Sequence, residues 1–364
     1  MKSSYYIGIM SGTSLDGVDV ALMSIDDVQF QLVSNYFSAY PEFIKTQLLT
    51  LHDPNQNELE NTALISNELA KLYANAVNTL LKNNQLTSHQ IIAIGCHGQT
   101  IRHRPELGFT LQIGNNALLA ELTNITVVSD FRSRDIAAGG QGAPLVPAFH
   151  QAAFGNKEKN LAIVNIGGIA NITYLAKNGE ISGFDSGPGN MLLDYWTKLN
   201  LGLDYDKNGT WAATGKVQQS VLDKMLSEPY FALPPPKSTG RDLFNETWLK
   251  QHTPIHCQPQ DIARTLTELS AYSIYKALTD HCSYLDEVYV CGGGAHNQLL
   301  VGTLKQMLGH ITLSTTNSLG VDVDWVEAAA FAWLAKQTID NKPANLPRVT
   351  GAKGLRILGA IYPA

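Results

Sequence analysis

Three glycine-rich turns in the sequence combine bare backbone with polar side chains. Residues 12–19 read Gly-Thr-Ser-Leu-Asp-Gly-Val-Asp, so backbone N–H groups can approach a phosphate while a carboxylate lies near its metal. Residues 167–168 form a second small-residue turn, and residues 292–294 are three glycines that follow a strand pattern. We expect a nucleotide at these turns, although each one alone is also typical of an ordinary hairpin or strand-to-helix turn.

A carboxylate between glycines is the best candidate for a catalytic base. Asp185 lies in the segment Gly-Phe-Asp-Ser-Gly-Pro-Gly-Asn at residues 183–190, and we expect it at a strand end with room for a ligand. The alternative is a helix cap, in which Ser186 or Asn190 begins the next helix and Asp185 only favours the helix dipole.

Polar side chains in the first half of the chain are candidates for binding a polar substrate. His97, Gln99 and Thr100 come directly after an apolar strand pattern, where recognition groups are often placed. Asp130 and Arg132 belong to a charged segment that precedes a loop rich in glycine. A guanidinium group there suits a carboxylate, and a solvated charge cluster is the alternative.

Glu327 begins a helix pattern that is otherwise apolar, Ala-Ala-Ala-Phe-Ala-Trp at residues 328–333. Its carboxylate either points toward a substrate or occupies a favourable position in the first turn of the helix. His97 and His103 have six-residue spacing, which is not that of a usual zinc pair. We therefore do not expect a metal held by histidines.

Strand and helix patterns alternate along the chain, which predicts an α/β fold. Strand patterns cover residues 5–10, 18–23, 30–36, 91–95, 109–113, 125–129, 161–165, 170–175 and 287–291, and helix patterns cover residues 58–81, 115–122, 294–308 and 325–338. Each half of the chain begins with two strands joined by a small-residue turn. Residues 230–240 contain three successive prolines and predict a surface loop.

The 364 residues exceed the ~250–300 that one hydrophobic core usually serves. We predict two α/β domains, residues 1–140 and residues 141–364, with a return of the extreme C-terminus to the first domain as an option. A hydrophobic share of 44% and a charged share of 16% exclude a disordered chain.

Charge and segment composition limit the partners and the compartment. The net charge of −6 and the lack of a Lys/Arg run argue against nucleic acid. No apolar run reaches the ~20 residues of a membrane span, and the N-terminus lacks the pattern of a signal peptide. Four scattered cysteines are typical of reduced thiols. We therefore expect a cytoplasmic protein.

Five segments, taken together and in order, resemble the anhydro-N-acetylmuramic acid kinase family. They are residues 9–19, 97–100, 165–171, 183–190 and 326–328. The resemblance runs end to end, with small departures such as Ser186 where the family frequently has Thr. It implies an α/β, two-domain, actin-like ATPase fold of the ribonuclease H-like type, with an ATP cleft between the domains.

The resemblance also implies a reaction. Members of the family are ATP-dependent kinases that open 1,6-anhydro-N-acetylmuramic acid with water and phosphorylate its O6, in peptidoglycan recycling and amino-sugar catabolism. The products are N-acetylmuramic acid 6-phosphate and ADP. This reaction implies ATP and Mg²⁺ as cofactors and small molecules as substrates. We expect no nucleic-acid or membrane partner, and a possible homodimer.

Roles follow for the matching positions. The resemblance implies that Asp185 is the base that activates water for attack at C1, while O6 is captured by the γ-phosphoryl group. Acids such as Asp16 would hold Mg²⁺ through water. The expected nucleotide-binding residues are Gly12, Thr13, Ser14, Leu15, Asp16, Gly17, Val18, Asp19, Gly167, Gly168, Gly292, Gly293 and Gly294. The expected substrate-binding residues are His97, Gln99, Thr100, Asp130, Arg132 and Glu327.

Two other functions stay open at this point. An ATP-driven chaperone or filament subunit would use the same two-domain fold, although a chaperone requires a further peptide-binding domain. A glycosidase would use two carboxylates without ATP. Dependence on a nucleotide separates the kinase from the glycosidase. For the kinase, we also expect the two domains to close on their ligands.

Overall fold

The computed structural model describes residues 4–12, 15–26, 29–52, 57–254 and 257–364. The chain forms two compact units: unit 1 contains Met1–Ala153 and Trp325–Ala364, and unit 2 contains Phe154–Asp324. The predicted boundary after residue 140 therefore lies ahead of the one observed. Phe149 explains the difference, because its ring packs against Phe30 and Trp333 of unit 1, with centroids 6.2 Å apart in each pair.

The described elements alternate between strands and helices, as the sequence predicts. The strands are β1 (Ser4–Met10), β2 (Gly17–Ile25), β3 (Phe30–Ala39), β4 (Ile91–Cys96), β5 (Gln99–Arg104), β6 (Phe109–Ile113), β7 (Val127–Ser129), β8 (Leu161–Ile166), β9 (Ile169–Leu175), β10 (Ile181–Pro188), β11 (Glu287–Cys291), β12 (Thr312–Thr315) and β13 (Ala360–Tyr362). The α-helices are α1 (Glu42–Thr50), α2 (Glu58–Asn83), α3 (Asn116–Thr123), α4 (Ser133–Ala137), α5 (Val146–Phe154), α6 (Met191–Leu201), α7 (Gln219–Leu226), α8 (Glu246–His252), α9 (Pro259–His281), α10 (Gln298–Leu308), α11 (Val326–Ile339) and α12 (Pro347–Thr350).

Unit 1 is organised around a mixed sheet with the strand order β13-β7-β4-β1-β2-β3. Strands β1, β2 and β3 form an antiparallel meander, whereas β4 and β7 run parallel to β1. Strands β5 and β6 form a separate two-stranded hairpin. Helix α2 covers the six-stranded sheet of unit 1 with a buried stripe that includes Leu69, Tyr73 and Leu80. This helix confirms the one predicted over residues 58–81.

Helix α11 belongs to unit 1 because it packs unusually close to the sheet. A Cβ atom at Gly8 would lie 1.7 Å from the carbonyl oxygen of Ala328, and one at Gly95 would lie 1.9 Å from that of Phe331. The two glycines lie side by side on the neighbouring strands β1 and β4. Glycine is therefore required where the helix backbone meets the strands.

Unit 2 repeats the plan of unit 1. Its sheet has the order β10-β9-β8-β11-β12, with β8, β9 and β10 antiparallel and with β11 and β12 parallel to β8. When the β5–β6 hairpin and the antiparallel edge strand β13 of unit 1 are left out of the numbering, both sheets have three antiparallel strands followed by two parallel ones, in the order 3-2-1-4-5. This repeated order confirms that each half begins with a strand hairpin and continues as an α/β sheet.

Three local predictions differ from the structure. Asp185 lies inside β10 and not at a strand end, because β10 continues past a register shift to Pro188. Residues 230–240 are not simply a surface loop: Tyr230 is buried and begins the segment within a 3-10 turn. The third glycine turn forms a 3-10 turn at Gly293–His296 before α10 starts at Gln298.

Candidate active site

The first glycine turn of unit 1 connects β1 to β2 and offers backbone more than side chains. Leu15 and Val18 are buried, so only their main-chain groups can face a ligand. Asp16 is exposed and Asp19 is partly buried, which leaves two carboxylates near the turn. Thr13 and Ser14, which the sequence assigns to the same turn, lie outside the described residues.

A network of buried polar side chains lies next to this turn. The Ser11 hydroxyl contacts the Tyr73 hydroxyl at 3.0 Å and donates to the Gly98 carbonyl at 3.0 Å. The Tyr40 hydroxyl lies 3.2 Å from the Tyr73 hydroxyl. Burial raises the pKa of Tyr40 to about 12 and holds the pKa of Tyr73 well above its usual value. Both phenols are therefore neutral hydrogen-bonding groups. The sequence analysis contained no signal for them, because the two tyrosines lie far apart in the chain.

Gln99 closes the network and is 0% exposed. Its amide oxygen accepts from the Tyr40 hydroxyl at 3.1 Å, and its amide nitrogen donates to the Gly12 carbonyl at 3.1 Å. Both ends of the side chain are therefore occupied by the protein. Thr100 is partly buried and its hydroxyl accepts from the Gln112 amide at 3.2 Å.

Arg132 is held by His97 and by a loop carbonyl. Its Nε and Nη2 atoms lie 3.2 Å and 2.9 Å from Nε2 of His97, and its Nη1 donates to the Gly142 carbonyl at 2.9 Å. Nδ1 of His97 lies 3.3 Å from the Ser11 carbonyl. Burial, followed by the charge of Arg132, lowers the pKa of His97 to about 3. Burial also lowers the pKa of Arg132 to about 10, which leaves the guanidinium charged at neutral pH.

Glu327 and Asp130 lie in the same unit but in different surroundings. Glu327 is partly buried in the first turn of α11, and burial raises its pKa against the opposing effect of Arg132. Asp130 is exposed, has a left-handed backbone and accepts from the Ser133 hydroxyl.

Asp185 in unit 2 is fixed by the segment that follows Pro236. Its backbone N–H donates to the Lys237 carbonyl at 3.1 Å, and its Oδ2 accepts from the Thr239 N–H at 3.0 Å. The Tyr230 hydroxyl donates to the backbone carbonyl of Asp185 at 2.8 Å. Burial raises the pKa of Asp185 to about 6, and the bond from Thr239 only partly opposes this effect. Asp185 is thus poised to act as a base near neutral pH.

Thr239 is a neighbour of Asp185 that the sequence analysis missed. Its hydroxyl oxygen is buried and has no hydrogen-bond partner among the described residues, which is rare for a buried polar atom. This hydroxyl belongs to the same residue whose N–H binds the Asp185 carboxylate, so it is available to a water or a ligand beside that carboxylate. The Pro-Pro-Pro pattern pointed to an irregular segment but not to its contact with the carboxylate.

Gly167 and Gly168 form the tip of the β8–β9 hairpin, and their carbonyls are occupied by backbone. The Gly168 carbonyl accepts from the N–H of Gly189 at 2.9 Å and of Met191 at 3.2 Å, and the Gly167 carbonyl accepts from the N–H of Asn190 at 2.8 Å. Asn190 also forms the N-cap position of α6 without a side-chain capping bond. The start of α6 therefore holds this hairpin tip, and the predicted capping by Asn190 is not made through its side chain.

The three glycines after β11 have different surroundings. A Cβ atom at Gly292 would lie 2.3 Å from Oδ1 of Asn165, and one at Gly294 would lie 2.2 Å from Cγ2 of Ile166. At Gly293, by contrast, the nearest atom would be Nδ2 of Asn190 at 3.9 Å. Gly292 and Gly294 are therefore needed for packing against β8, whereas Gly293 has open space beside it.

That space is a cavity of about 410 Å³ in unit 2. It is lined by Asn190, Leu193, Asp194, Tyr205, Asp206, Lys207, Asn208, Gly293, His296 and Asn297. Its size is within the range of small-molecule sites, and its walls combine an apolar base with amide, aromatic and charged groups. The segment 205–208 was not among the predicted site residues.

Within the described ranges, no group of three or more His, Cys, Asp or Glu side chains is arranged to hold a metal ion. None of the helices in the same ranges is long and apolar enough to cross a membrane.

Unit 1 therefore brings together Gly12, His97, Gln99, Arg132 and Glu327, and unit 2 brings together Gly293 and its cavity. Asp185 forms a separate cluster with Tyr230 and Thr239 in unit 2. The repeated strand order 3-2-1-4-5 places the chain in the actin-like class of two-unit, ribonuclease H-like α/β proteins. The ATP cleft predicted between the domains stays a prediction.

Comparison with known proteins identifies the family. A profile of the anhydro-N-acetylmuramic acid kinase family matches residues 4–364. The chain is 52% identical to the anhydro-N-acetylmuramic acid kinase of Nitrosospira multiformis over 366 residues, covering 100% of both chains. It is 51% identical to the enzyme of that name from Nitrosomonas europaea, covering 99% of this chain and 100% of the relative. The chain belongs to the anhydro-N-acetylmuramic acid kinase family.

A structural match is found with the activator of 2-hydroxyisocaproyl-CoA dehydratase from Clostridium difficile with bound ADPNP. It has a TM-score of 0.48 and 12% sequence identity, and the match covers 93% of this chain and 97% of that one.

Proposed function

We propose that this protein uses ATP and water to open 1,6-anhydro-N-acetylmuramic acid and to phosphorylate its O6, in the recycling of cell-wall sugars. The products are N-acetylmuramic acid 6-phosphate and ADP. Family membership over the whole described chain supports the reaction class. The observation that carries the chemistry is the partly buried carboxyl of Asp185, whose pKa burial raises to about 6.

Asp185 is the general base of this proposal. Water attacks C1 of the sugar and gives a proton to the Asp185 carboxylate as the C1–O6 bond breaks. The electron pair of that bond stays on O6, which attacks the γ-phosphorus of ATP, and ADP leaves. The Thr239 N–H and the Lys237 carbonyl orient Asp185 through the backbone. The buried Thr239 hydroxyl is the proposed hydrogen-bonding partner of the attacking water.

The cavity beside Gly293 is the proposed site of the nucleoside part of ATP. Its volume of about 410 Å³ suits a nucleoside, and Gly293 lets a flat base approach bare backbone. Asn190 and Asn297 offer amide groups at the same wall. Gly167 and Gly168, whose tip is held by the start of α6, are proposed to face the phosphates.

The turn at residues 12–19 is the proposed phosphate site of unit 1. The Gly12 carbonyl is fixed by Gln99 and accepts from the Leu15 N–H at 3.4 Å, which shapes the turn around a phosphate. Mg²⁺ in kinases is usually held by one or two carboxylates together with the phosphates. The exposed Asp16 fits that requirement and is proposed to hold the ion through water. A bound Mg²⁺ would neutralise charge on the phosphates.

Arg132 and Glu327 are the proposed contacts to the sugar in unit 1, and Thr100 and Asp130 are weaker candidates beside them. A charged guanidinium in a partly buried position suits an anionic group such as the carboxylate of a muramic acid. Glu327, with its raised pKa, suits a hydroxyl or a proton transfer.

The experiment that tests the function is a stoichiometric assay. Purified protein is incubated with the anhydro sugar and ATP, and sugar phosphate and ADP are measured by mass spectrometry. We expect the two products in equal amounts and no product without ATP. Ring opening without ATP would indicate a glycosidase, and ADP without sugar phosphate would indicate an ATPase of another kind.

A further inference from the structure

We propose that His97 is a positioning residue that sets the direction of Arg132 and the backbone at Ser11, and that it does not contact the sugar. This inference rests on the proposed function, in which Arg132 binds an anionic group of the substrate. It differs from the expectation for the His-Gly-Gln-Thr segment, in which His97 itself binds the sugar.

Both ring nitrogens of His97 are occupied by the protein. Nδ1 lies 3.3 Å from the Ser11 carbonyl, an acceptor, so Nδ1 must carry the proton to form this bond. Nε2 lies 2.9 Å from Nη2 of Arg132, which can only donate, so Nε2 must be the acceptor. The two contacts together require the neutral ring with its proton on Nδ1. The side chain is 5% exposed, which leaves no ring nitrogen for a ligand.

The same contacts leave a defined part of Arg132 free. A guanidinium has five N–H donors. Nε and one N–H of Nη2 are directed at His97, and one N–H of Nη1 is directed at the Gly142 carbonyl. One donor remains on each terminal nitrogen, and oxygens of a carboxylate or phosphate are the acceptors that a guanidinium prefers. His97 therefore determines which edge of Arg132 faces a ligand.

Asp135 supports the second anchor of Arg132. This carboxylate is fully buried and accepts from the Gly142 N–H at 2.8 Å, from Asn345 at 2.8 Å and from the Thr350 hydroxyl at 2.8 Å. Gly142, whose carbonyl accepts from Arg132, is thereby tied through its N–H and Asp135 to the C-terminal segment of unit 1. The glycine-rich loop is thus held in place, and both acceptors of Arg132 are fixed before any ligand binds.

The packing of the ring agrees with a positioning role. The His97 ring lies against Phe331 of α11, with centroids 4.7 Å apart. An apolar face on one side and the Arg132 cation on the other both disfavour a protonated ring, in agreement with the lowered pKa of His97. A protonated ring would replace the acceptor at Nε2 with a donor and would release Arg132.

Two variants separate the two bonds of His97. Glutamine places its amide oxygen near the position of Nε2, so His97→Gln keeps an acceptor for Arg132. Asparagine reaches only the position of Nδ1, so His97→Asn keeps the donor to the Ser11 carbonyl and loses the hydrogen bond from Arg132. We expect the KM for the anhydro sugar to rise about tenfold in His97→Asn and to change less than threefold in His97→Gln. The matched control is His150→Gln, a second buried histidine of unit 1, for which KM should not change.

A purely structural role of His97 gives a different pattern. In that case both His97 variants would lower kcat in step with their melting temperature, with no selective change in the KM for the sugar. That result would overturn the proposal, and so would an equal rise in KM for His150→Gln.

A measurement independent of activity tests the geometry. In ¹⁵N NMR spectra of the histidine-labelled protein, we expect the His97 ring to have its proton on Nδ1, and we expect the Nε2 resonance to shift in Arg132→Met. A ring with its proton on Nε2 would refute the proposal, and so would an Nε2 resonance that does not shift in Arg132→Met. If the wild-type protein lacks the sugar kinase activity while these spectra are as expected, the proposed function fails and the positioning of Arg132 stands.

Discussion

The two units have the same strand order but hold their first hairpin in different ways. In unit 1, the turn after β1 is supported by side chains from distant elements, with Gln99 on the Gly12 carbonyl and Tyr40 behind it. In unit 2, the tip at Gly167 and Gly168 is held by backbone N–H groups at the start of α6. One topology thus supports a turn either through buried side chains or mainly through backbone N–H groups, with one side-chain bond from Asn190 to the Ile166 carbonyl. For the support of these two turns, substitutions of polar side chains should therefore act in unit 1, and changes that displace the backbone should act in unit 2.

The largest effect is expected for the reacting carboxylate of unit 2. Asp185→Asn should lower kcat by about 10²–10⁴-fold, because an amide cannot take a proton from water. The affinity for ATP should stay unchanged, since the substitution adds no atoms. Turnover by quenched flow and ATP binding by calorimetry measure the two effects. Asp204→Asn, at an exposed carboxylate of the same unit, is the control and should behave as the wild type. Near-normal turnover of Asp185→Asn would remove Asp185 as the base.

The glycines after β11 test the role of backbone in unit 2. Gly293→Ala adds a methyl group to the cavity without an internal clash, so we expect the KM for ATP to rise about tenfold with an unchanged melting temperature. Gly294→Ala forces a methyl group against Ile166 and should cost about 1–3 kcal/mol of stability. Nucleotide titration and thermal unfolding distinguish the two variants. Equal ATP affinity in Gly293→Ala and the wild type would place the nucleotide elsewhere.

Gln99 tests the role of buried side chains in unit 1. Gln99→Met preserves volume but leaves the Tyr40 hydroxyl and the Gly12 carbonyl without this partner. We expect a loss of about 1–3 kcal/mol in stability and a several-fold higher KM for ATP. Gln112→Met, in the neighbouring hairpin, is the matched control, because its amide contacts only threonine hydroxyls. If both variants behave alike, the Gln99 network does not shape the phosphate turn.

The smallest effect is a shift along the pH axis. Burial raises the pKa of Asp185 from 3.8 to about 6. The base works only when deprotonated, so kcat/KM should be full above this pKa and should fall as the pH decreases through about 6. A pH–rate profile between pH 4 and pH 8 measures the position of this limb. A limb near pH 4 would mean that the carboxyl is not buried in the working enzyme. The residual turnover of Asp185→Asn should lack the limb.

Local patterns predicted much of the fold but little of the support around the site. The strands β1 and β8 follow from short continuous apolar runs, because both faces of each strand are buried. The helix α2 follows from apolar periodicity, because it buries one stripe of its surface. The position of Asp185 between glycines made it the candidate base, which stays a prediction, and the glycine motif indicated the third turn. Each of these features is defined by residues that are close together in the chain, so it can be recognised from the sequence alone.

The features of the site that were not predicted depend on contacts between residues that are distant in the chain. Tyr73 meets Ser11 across 62 positions, and Thr239 meets Asp185 across 54. Spacing in one sequence carries no record of such pairs. The sequence shows that His97 and Gln99 are polar, which is why they were predicted to contact the sugar. It does not show the buried groups that form hydrogen bonds with their side chains.

The central claim is that water attacks the sugar and that O6 receives the phosphoryl group. The most direct test is the reaction in H₂¹⁸O with ATP and the anhydro sugar, quenched before the new C1 hydroxyl exchanges with solvent and analysed by fragment mass spectrometry. Unlabelled product held in H₂¹⁸O for the same time corrects for that exchange. We expect one ¹⁸O at C1 of each sugar phosphate, none in its phosphoryl group, and one ADP per sugar phosphate. Label in phosphate, or sugar phosphate without label at C1, would contradict the account.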